Sequence, residues 1–226
     1  MIARIERWLY AFSKRLSRRN LYPWLSEAIA AHGLSQGKQV LSVGAGGEIG
    51  EFVASLGVYC TSIDNDPRRN PDLLLSVEDL STLSDSSFDA VLCMEVLEHV
   101  ASPRTAFAEM VRVLRPGGVL IGSTPFLLGI HDAPVDFQRF TRHGIERLAE
   151  GMETLVLRER NTYFAAIAVL LSRRFVVGSS RERRRALYLS PAILFLIGGC
   201  MVLDRILPTA DGSTGYFFVF QKPASA

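Results

Sequence analysis

Between residues 39 and 161 short apolar runs alternate with segments of helical period, and no other feature limits the fold as strongly. QVLSV (39–43), VYCTSID (58–64), DLLLS (72–76), FDAVLCM (88–94), GVLIGSTPF (118–126) and TLVLRERN (154–161) have the length and apolar content of strands. EFVASL (51–56), SPRTAFAEMVRVL (102–114) and TRHGIERLAEG (141–151) fit helices. The second of these places Ser102 as an N-cap and Pro103 at the first helical position, and it stops at Arg115-Pro116-Gly117-Gly118. Strands alternating with helices imply a parallel sheet covered on both faces. Nearly unbroken apolar runs such as VLSV and AVLCM suit strands buried on both sides. GYFFVFQKP (215–223) is expected to be a seventh strand.

The expected organisation is one domain over 1–226. Amphipathic helices occupy 1–36, the α/β core 37–161, an apolar and basic helical insert 162–214, and the last strand 215–223. Ile2, Ile5, Trp8, Leu9, Phe12 and Leu16 recur at helical steps over residues 2–18, and PWLSEAIAAH (23–32) is a second helix closed by Gly33.

The stretch VLSVGAGGEIG (40–50) is a strand running into a glycine turn and then a helix. Such a turn lets a ligand approach the backbone, and the helix N-terminus offers free N–H groups. Asp64 ends the second strand, where a carboxylate can hold both hydroxyls of a ribose. The unit could therefore hold NAD or another adenosine-containing cofactor. The dinucleotide fingerprint G-x-G-x-x-G, started at Gly44, puts its third position on Ile49 and not on Gly50.

Downstream material decides between these. LSVGAGGE, SIDNDP, FDAVLCMEVLEHV and AEMVRVLRPGGVLIGSTP, in this order over 39–125, resemble class I S-adenosyl-L-methionine (SAM)-dependent methyltransferases. IHDAPVDFQRFTRHGIERL (130–148) is similar to a stretch in a subset of these enzymes from bacterial surface-polysaccharide and related gene sets. The resemblance implies a three-layer, Rossmann-like α/β fold. Its seven-stranded sheet is mostly parallel, with the last strand antiparallel, an N-terminal helical extension and an apolar helical insert before the last strand. It implies that Gly44, Ala45 and Gly46 line the methionine moiety of SAM, that Asp64 holds the ribose hydroxyls and that Asn65 lies against the adenine. Val77 would present its backbone N–H to the adenine ring, and Met94 and Glu95 would face the methionine end and the acceptor.

Three positions depart from the family pattern. Ser42 and Ser76 stand where acids are usual, and Glu48 stands where a third glycine is usual. Ser42 and Ser76 can still hydrogen-bond the cofactor, and Glu48 or Glu78 could supply the missing acid. RVLRPGG reads mainly as a helix stop and strand start, and Glu98 and His99 read mainly as scaffolding.

The sulfonium of SAM is already activated, so the protein mainly aligns acceptor, methyl carbon and sulfur and excludes water. Groups that could take a proton from the acceptor or position it lie after the fifth strand. They are His131, Asp132 and Asp136, with Arg139 as an anion contact. The expected reaction is O-methylation of a small-molecule, sugar or lipid-linked acceptor. A second reading is a degenerate SAM-fold protein that serves as a membrane-associated partner in glycan or lipid assembly. An NAD-dependent oxidoreductase is disfavoured by the off-register glycine and by EVLEHV and RVLRPGG.

Composition narrows the partners. A net charge of +2, no NPPY-like motif and no aromatic–basic stacking platform argue against a nucleic acid. Cys60, Cys93 and Cys200 are far apart and without a CxxC, which suits reduced thiols in a cytoplasmic protein and gives a metal site no support. The N-terminus lacks the unbroken apolar core of a secretory signal. The run 186–203 has no charge, but Pro191 and Gly198-Gly199 interrupt it, and a single span would strand GYFFVF across a membrane. A helical lid or an in-plane contact with the inner face of a membrane is therefore expected, through 2–18 and 162–214 with their arginines. Packing of the insert on the domain or on a second copy in a homodimer is the alternative.

Overall fold

The computed structural model describes residues 2–174, 188–209 and 211–224, with side chains from residue 7 onward. The arginine knot at 181–185 and the start of the apolar run at 186–187 lie outside the described residues.

The chain forms two compact units. The sheet unit comprises Leu21–Pro125, Asp132–Arg158 and Tyr216–Ala226; the helical unit comprises Met1–Asn20, Phe126–His131 and Glu159–Gly215. The N-terminal segment is divided between them. Its first helix, α1 (Ile2–Ser17), belongs to the helical unit, and its second, α2 (Leu21–Ala31), to the sheet unit.

The seven strands are β1 (Val40–Val43), β2 (Cys60–Asp64), β3 (Leu73–Leu74), β4 (Phe88–Met94), β5 (Leu114–Pro125), β6 (Glu153–Glu159) and β7 (Gly215–Gln221). They stand in the order β3-β2-β1-β4-β5-β7-β6. β1 pairs in parallel with β2 and β4, β2 with β3, and β4 with β5. β7 runs against β5: Gly117 N–H donates to Lys222 O (2.9 Å), and Phe126 N–H donates to Thr214 O (2.8 Å). This is the mostly parallel sheet with an antiparallel last strand that the motifs imply.

Leu41, Val91, Leu120 and Phe218 are fully buried in the middle of the sheet. On one side α2 (through Leu21, Leu25 and Ile29) and α3 (Gly47–Ser55, through Val53) share a core with Ala90, Leu92, Ile121 and Phe217. The helix α4 (Pro103–Val113) buries Ala106, Phe107 and Met110, the second with its ring 6.2 Å from that of Phe220. Thr141 caps α5 (Arg142–Leu148) by accepting the Gly144 N–H at 3.1 Å.

RVLRPGG stops α4 and starts a strand, as expected, but the strand starts four residues before Gly118. β5 already begins at Leu114, which pairs with Phe88, and the register then jumps so that Val119 pairs with Ala90. Arg115 to Gly118 is thus a bulge inside the strand. Ser102 sits at the N-cap of α4, but its side chain bonds Thr105 Oγ1 (2.7 Å) and no backbone N–H.

In the helical unit α1, α6 (Tyr163–Arg173) and α7 (Ser190–Ile206) pack through Leu16, Ala165, Ala168, Val169 and Ile197. Alanines at the contact let the helices approach closely. Asp204 is buried because it caps α6: its carboxylate accepts from Thr162 Oγ1 and from Ala165 N–H (3.1 Å). The last carbonyls of α1 are satisfied by side chains, Leu16 O by Asn161 (3.2 Å) and Ser17 O by Thr214 (3.0 Å). No described helix is long and apolar enough to cross a membrane.

Candidate active site

The strand order puts the carboxyl ends of β2, β1 and β4 side by side, and the chain reverses direction of travel between β1 and β4. In open α/β sheets this crevice takes the ligand. The loops that leave these ends carry the glycine turn, Asp64 and Glu95.

Gly44 has φ +87°, and its N–H donates to Ile63 O at 2.9 Å, which ties β1 to β2 at the edge. A Cβ there would lie 3.0 Å from Val96 Cγ2. Gly46, with φ +71°, is the N-cap of α3, and a Cβ on it would meet nothing nearer than Arg69 O at 3.9 Å. The backbone of the turn therefore borders open space, as a ligand lying along it requires.

Asp64 closes one side of that space. Its Oδ2 accepts the Ala45 N–H (3.0 Å) and its Oδ1 the Asp66 N–H (2.9 Å). Its side chain is 11% exposed, with Arg69 Nε 3.7 Å away. A carboxylate has about four acceptor sites, so two remain for the hydroxyls of a ribose. Asn65 follows and is exposed, while Val77, after β3, has its side chain buried.

On the other side Met94 ends β4, half-buried, and Glu95 follows with φ +57°, a left-handed conformation rare for a side-chain-bearing residue. Ser123, fully buried on β5, holds it there. Glu95 N–H donates to Ser123 O (2.9 Å), and Ser123 Oγ donates to Glu95 Oε1 (2.9 Å). Sequence reasoning names Glu95 but misses Ser123; the only signal is a small hydroxyl at the end of an otherwise apolar strand.

The next turn, Leu97–His99, explains the rest of EVLEHV. Phe137 N–H donates to Glu98 O (2.9 Å), His99 Nδ1 lies 2.8 Å from Val135 O, and Gln138 Nε2 donates to Val100 O (3.2 Å). The motif thus holds the loop 135–138. Glu98 is fully buried, and burial together with the charges of Glu98 and Glu95 pushes the Cys93 thiol far up. Cys93 is therefore inert as a nucleophile.

The departures from the family pattern also have places. Ser42 is half-buried on β1 between Ser62 and Leu92. Ser76 Oγ accepts the Glu78 N–H at 3.2 Å. Glu78 itself accepts the Ser102 N–H at 2.6 Å, so one of its oxygens is tied to the start of α4. Glu48 is exposed in the first turn of α3.

Of the three acceptor-side residues, Asp132 is exposed with φ +52°. Asp136 has both oxygens engaged by Arg139, Oδ1 at 2.5 Å and Oδ2 at 2.7 Å. The hydrogen bond to Asp136 raises the Arg139 pKa, and the charges of Asp136, Glu98 and Glu95 add to it. Arg139 is thus first the counter-ion of Asp136. His131 is half-buried and belongs to the helical unit.

Residues 41–122, from the glycine strand through β5, match the model of a family described as a methyltransferase domain. Over these residues the chain is similar to a methyltransferase domain. SAM is the cofactor of this domain class, and the open glycine turn beside Asp64 fits it. A ubiquinone biosynthesis O-methyltransferase from Xanthomonas campestris pv. campestris (strain B100) is 36% identical over 134 residues, which cover 53% of this chain and 56% of the relative. A protein of the same name from Xanthomonas oryzae pv. oryzae (strain PXO99A) matches equally. The chain thus spans about half the length of the curated relatives it matches. The structure of a SAM-dependent methyltransferase from Archaeoglobus fulgidus superposes with a TM-score of 0.56 at 14% identity, over 94% of this chain and 100% of that one. The [4+2]-cyclase SpnF superposes with a TM-score of 0.54 at 18% identity, over 89% of this chain and 80% of that one. The fold is shared with both, and since SpnF is a cyclase the fold alone does not name the reaction.

Proposed function

We propose that this chain transfers the methyl group of SAM to an oxygen of a small-molecule acceptor. The observation that carries the reading is the Asp64 carboxylate accepting the Ala45 N–H at the open glycine turn, with β1 flanked by β4, which Glu95 follows. The relatives' name, ubiquinone biosynthesis O-methyltransferase, supports oxygen as the acceptor atom and a small or lipid-linked molecule over a polymer.

SAM supplies an activated methyl carbon, and the protein's part is alignment in a dry site. The backbone of Gly44, Ala45 and Gly46 borders the methionine moiety, with the N-terminus of α3 favouring its carboxylate. Asp64 accepts the ribose hydroxyls, with Asn65 and the Val77 N–H toward the adenine. Met94 and Glu95 bound the reacting end. His131 and Asp132 are the groups proposed to receive or orient the acceptor proton. Asp136 is the third group proposed there, held in place by Arg139 through both oxygens, each of which keeps a lone pair for an acceptor.

Thermal unfolding with SAM, with NAD as control, tests the reading. Ligand at about 100 times Kd stabilises by roughly 2.7 kcal/mol, which raises Tm by about 5–10 °C for a chain of this size. SAM shifts the wild type, NAD does not, and Asp64→Ala loses most of the shift. A SAM shift without turnover on any quinol-like or phenolic acceptor would favour the degenerate scaffold; no SAM shift at all would overturn cofactor binding.

A further inference from the structure

The two units differ sharply in charge. Among the described residues, the helical unit has 10 Lys and Arg against four Asp and Glu, a formal net charge of +6, and the sheet unit 11 against 18, a net charge of −7. A whole-chain charge of +2 conceals this division.

The same helical unit exposes apolar surface. α7 is apolar almost all round, yet only one stripe is covered, formed by Ile193, Ile197, Cys200 and Met201 against α1 and α6. On the opposite side Phe195, Val202 and Ile206, spaced at seven and four residues, lie 81%, 54% and 65% exposed. An apolar helix in water normally buries both faces, so this one calls for a second cover. Trp8 and Tyr10 on α1 are 61% and 51% exposed. Amphipathic aromatics of this kind concentrate at lipid–water boundaries.

We propose that the helical unit docks on an anionic lipid bilayer, with α7 lying in the plane of the interface. Its Phe195–Val202–Ile206 face enters the headgroup–acyl boundary, and the basic residues of the unit meet the lipid phosphates. The helix is too short to cross, at 17 residues, and in-plane burial of one apolar face is what a helix of this kind does at a membrane. Charge decides between a bilayer and a second copy. Two copies meeting through this face would bring together two units whose described residues each carry +6, whereas an anionic surface attracts them. The inference stands apart from methyl transfer and does not depend on it.

Sedimentation of the full chain with vesicles tests it. Binding to phosphatidylcholine vesicles containing phosphatidylglycerol is expected, with little binding to phosphatidylcholine alone and loss of binding at high salt. Phe195→Glu, at an exposed position, is expected to weaken binding on the order of tenfold while leaving Tm and SAM binding unchanged. Absence of binding to anionic vesicles at low salt would overturn the proposal. So would equal binding of Phe195→Glu, or a stable dimer in light scattering that Phe195→Glu splits into monomers.

Discussion

At Glu95 the backbone takes a left-handed conformation that glycine adopts without strain, yet the position holds an acid fixed by Ser123. A strained residue in a site is kept for what its side chain does there, at a cost of order 1–3 kcal/mol. Glu95→Gly should therefore relieve strain and lose the Ser123 bond in comparable amounts. Stability is expected to stay within about 1 kcal/mol of wild type while SAM-dependent turnover falls tenfold or more on the order of a lost alignment. Denaturant unfolding and initial rates measure the two. A loss of stability above about 2 kcal/mol would make Glu95 a structural residue. At this scale the motifs made Gly44, Asp64 and Glu95 legible, because each is a residue type demanded by a backbone or a ligand. They did not reveal that Asp136 pairs with Arg139, three positions later, because an acid and a base at that spacing pair only when the loop between them folds back.

The elements were legible where their pattern was local. β4 runs over the expected FDAVLCM, since an unbroken apolar run needs no partner to be recognised. β3 shrinks to two residues because an edge strand with one neighbour has little to extend along. The start of β5 was misread because proline and two glycines signal a turn locally, while the ladder to β4 and β7 carries the strand through them. Inside β5 sits Gly122, where a Cβ would fall 2.3 Å from the Phe218 ring and 2.8 Å from Cys93 O. Gly122→Ala is expected to destabilise by about 2–3 kcal/mol through overpacking, lowering Tm by roughly 5–10 °C. α4 offers a second test. Arg112 donates to Glu109 and to the carbonyls of Leu80 and Leu83, stapling the 80–85 loop to the helix. The Arg112 hydrogen bond lowers the Glu109 pKa below its ordinary value near 4.5, against a smaller cost of burial. The stability this gives is complete above that ordinary value and is lost as pH falls through the lowered one. Glu109→Gln should flatten the fall of stability with acid in that window, as read from urea midpoints between about pH 5 and 2.

For the whole molecule, length and the strand–helix alternation were enough to give the sheet, and the total charge was misleading. Composition alone treats +2 as nearly neutral, and only the assignment of the described residues to units separates +6 from −7. The separation has a consequence independent of lipid. A chain of net charge +2 with mixed charges would pass an anion exchanger at pH 7 and bind a cation exchanger weakly. Each unit carries an excess of one sign that a resin of the opposite sign attracts, with a reach of about the Debye length, roughly 30 Å at 0.01 M salt. Retention on both resins at low salt is therefore expected. Arg15→Glu on α1 with Arg19→Glu just after it, both exposed, should lower the salt needed for elution from the cation exchanger and leave the anion-exchange elution no earlier. Passage of the wild type through the anion exchanger would show that the two fields cancel in solution. The electrostatic half of bilayer docking would then lose its basis, and only the exposed face of α7 would be left to support it.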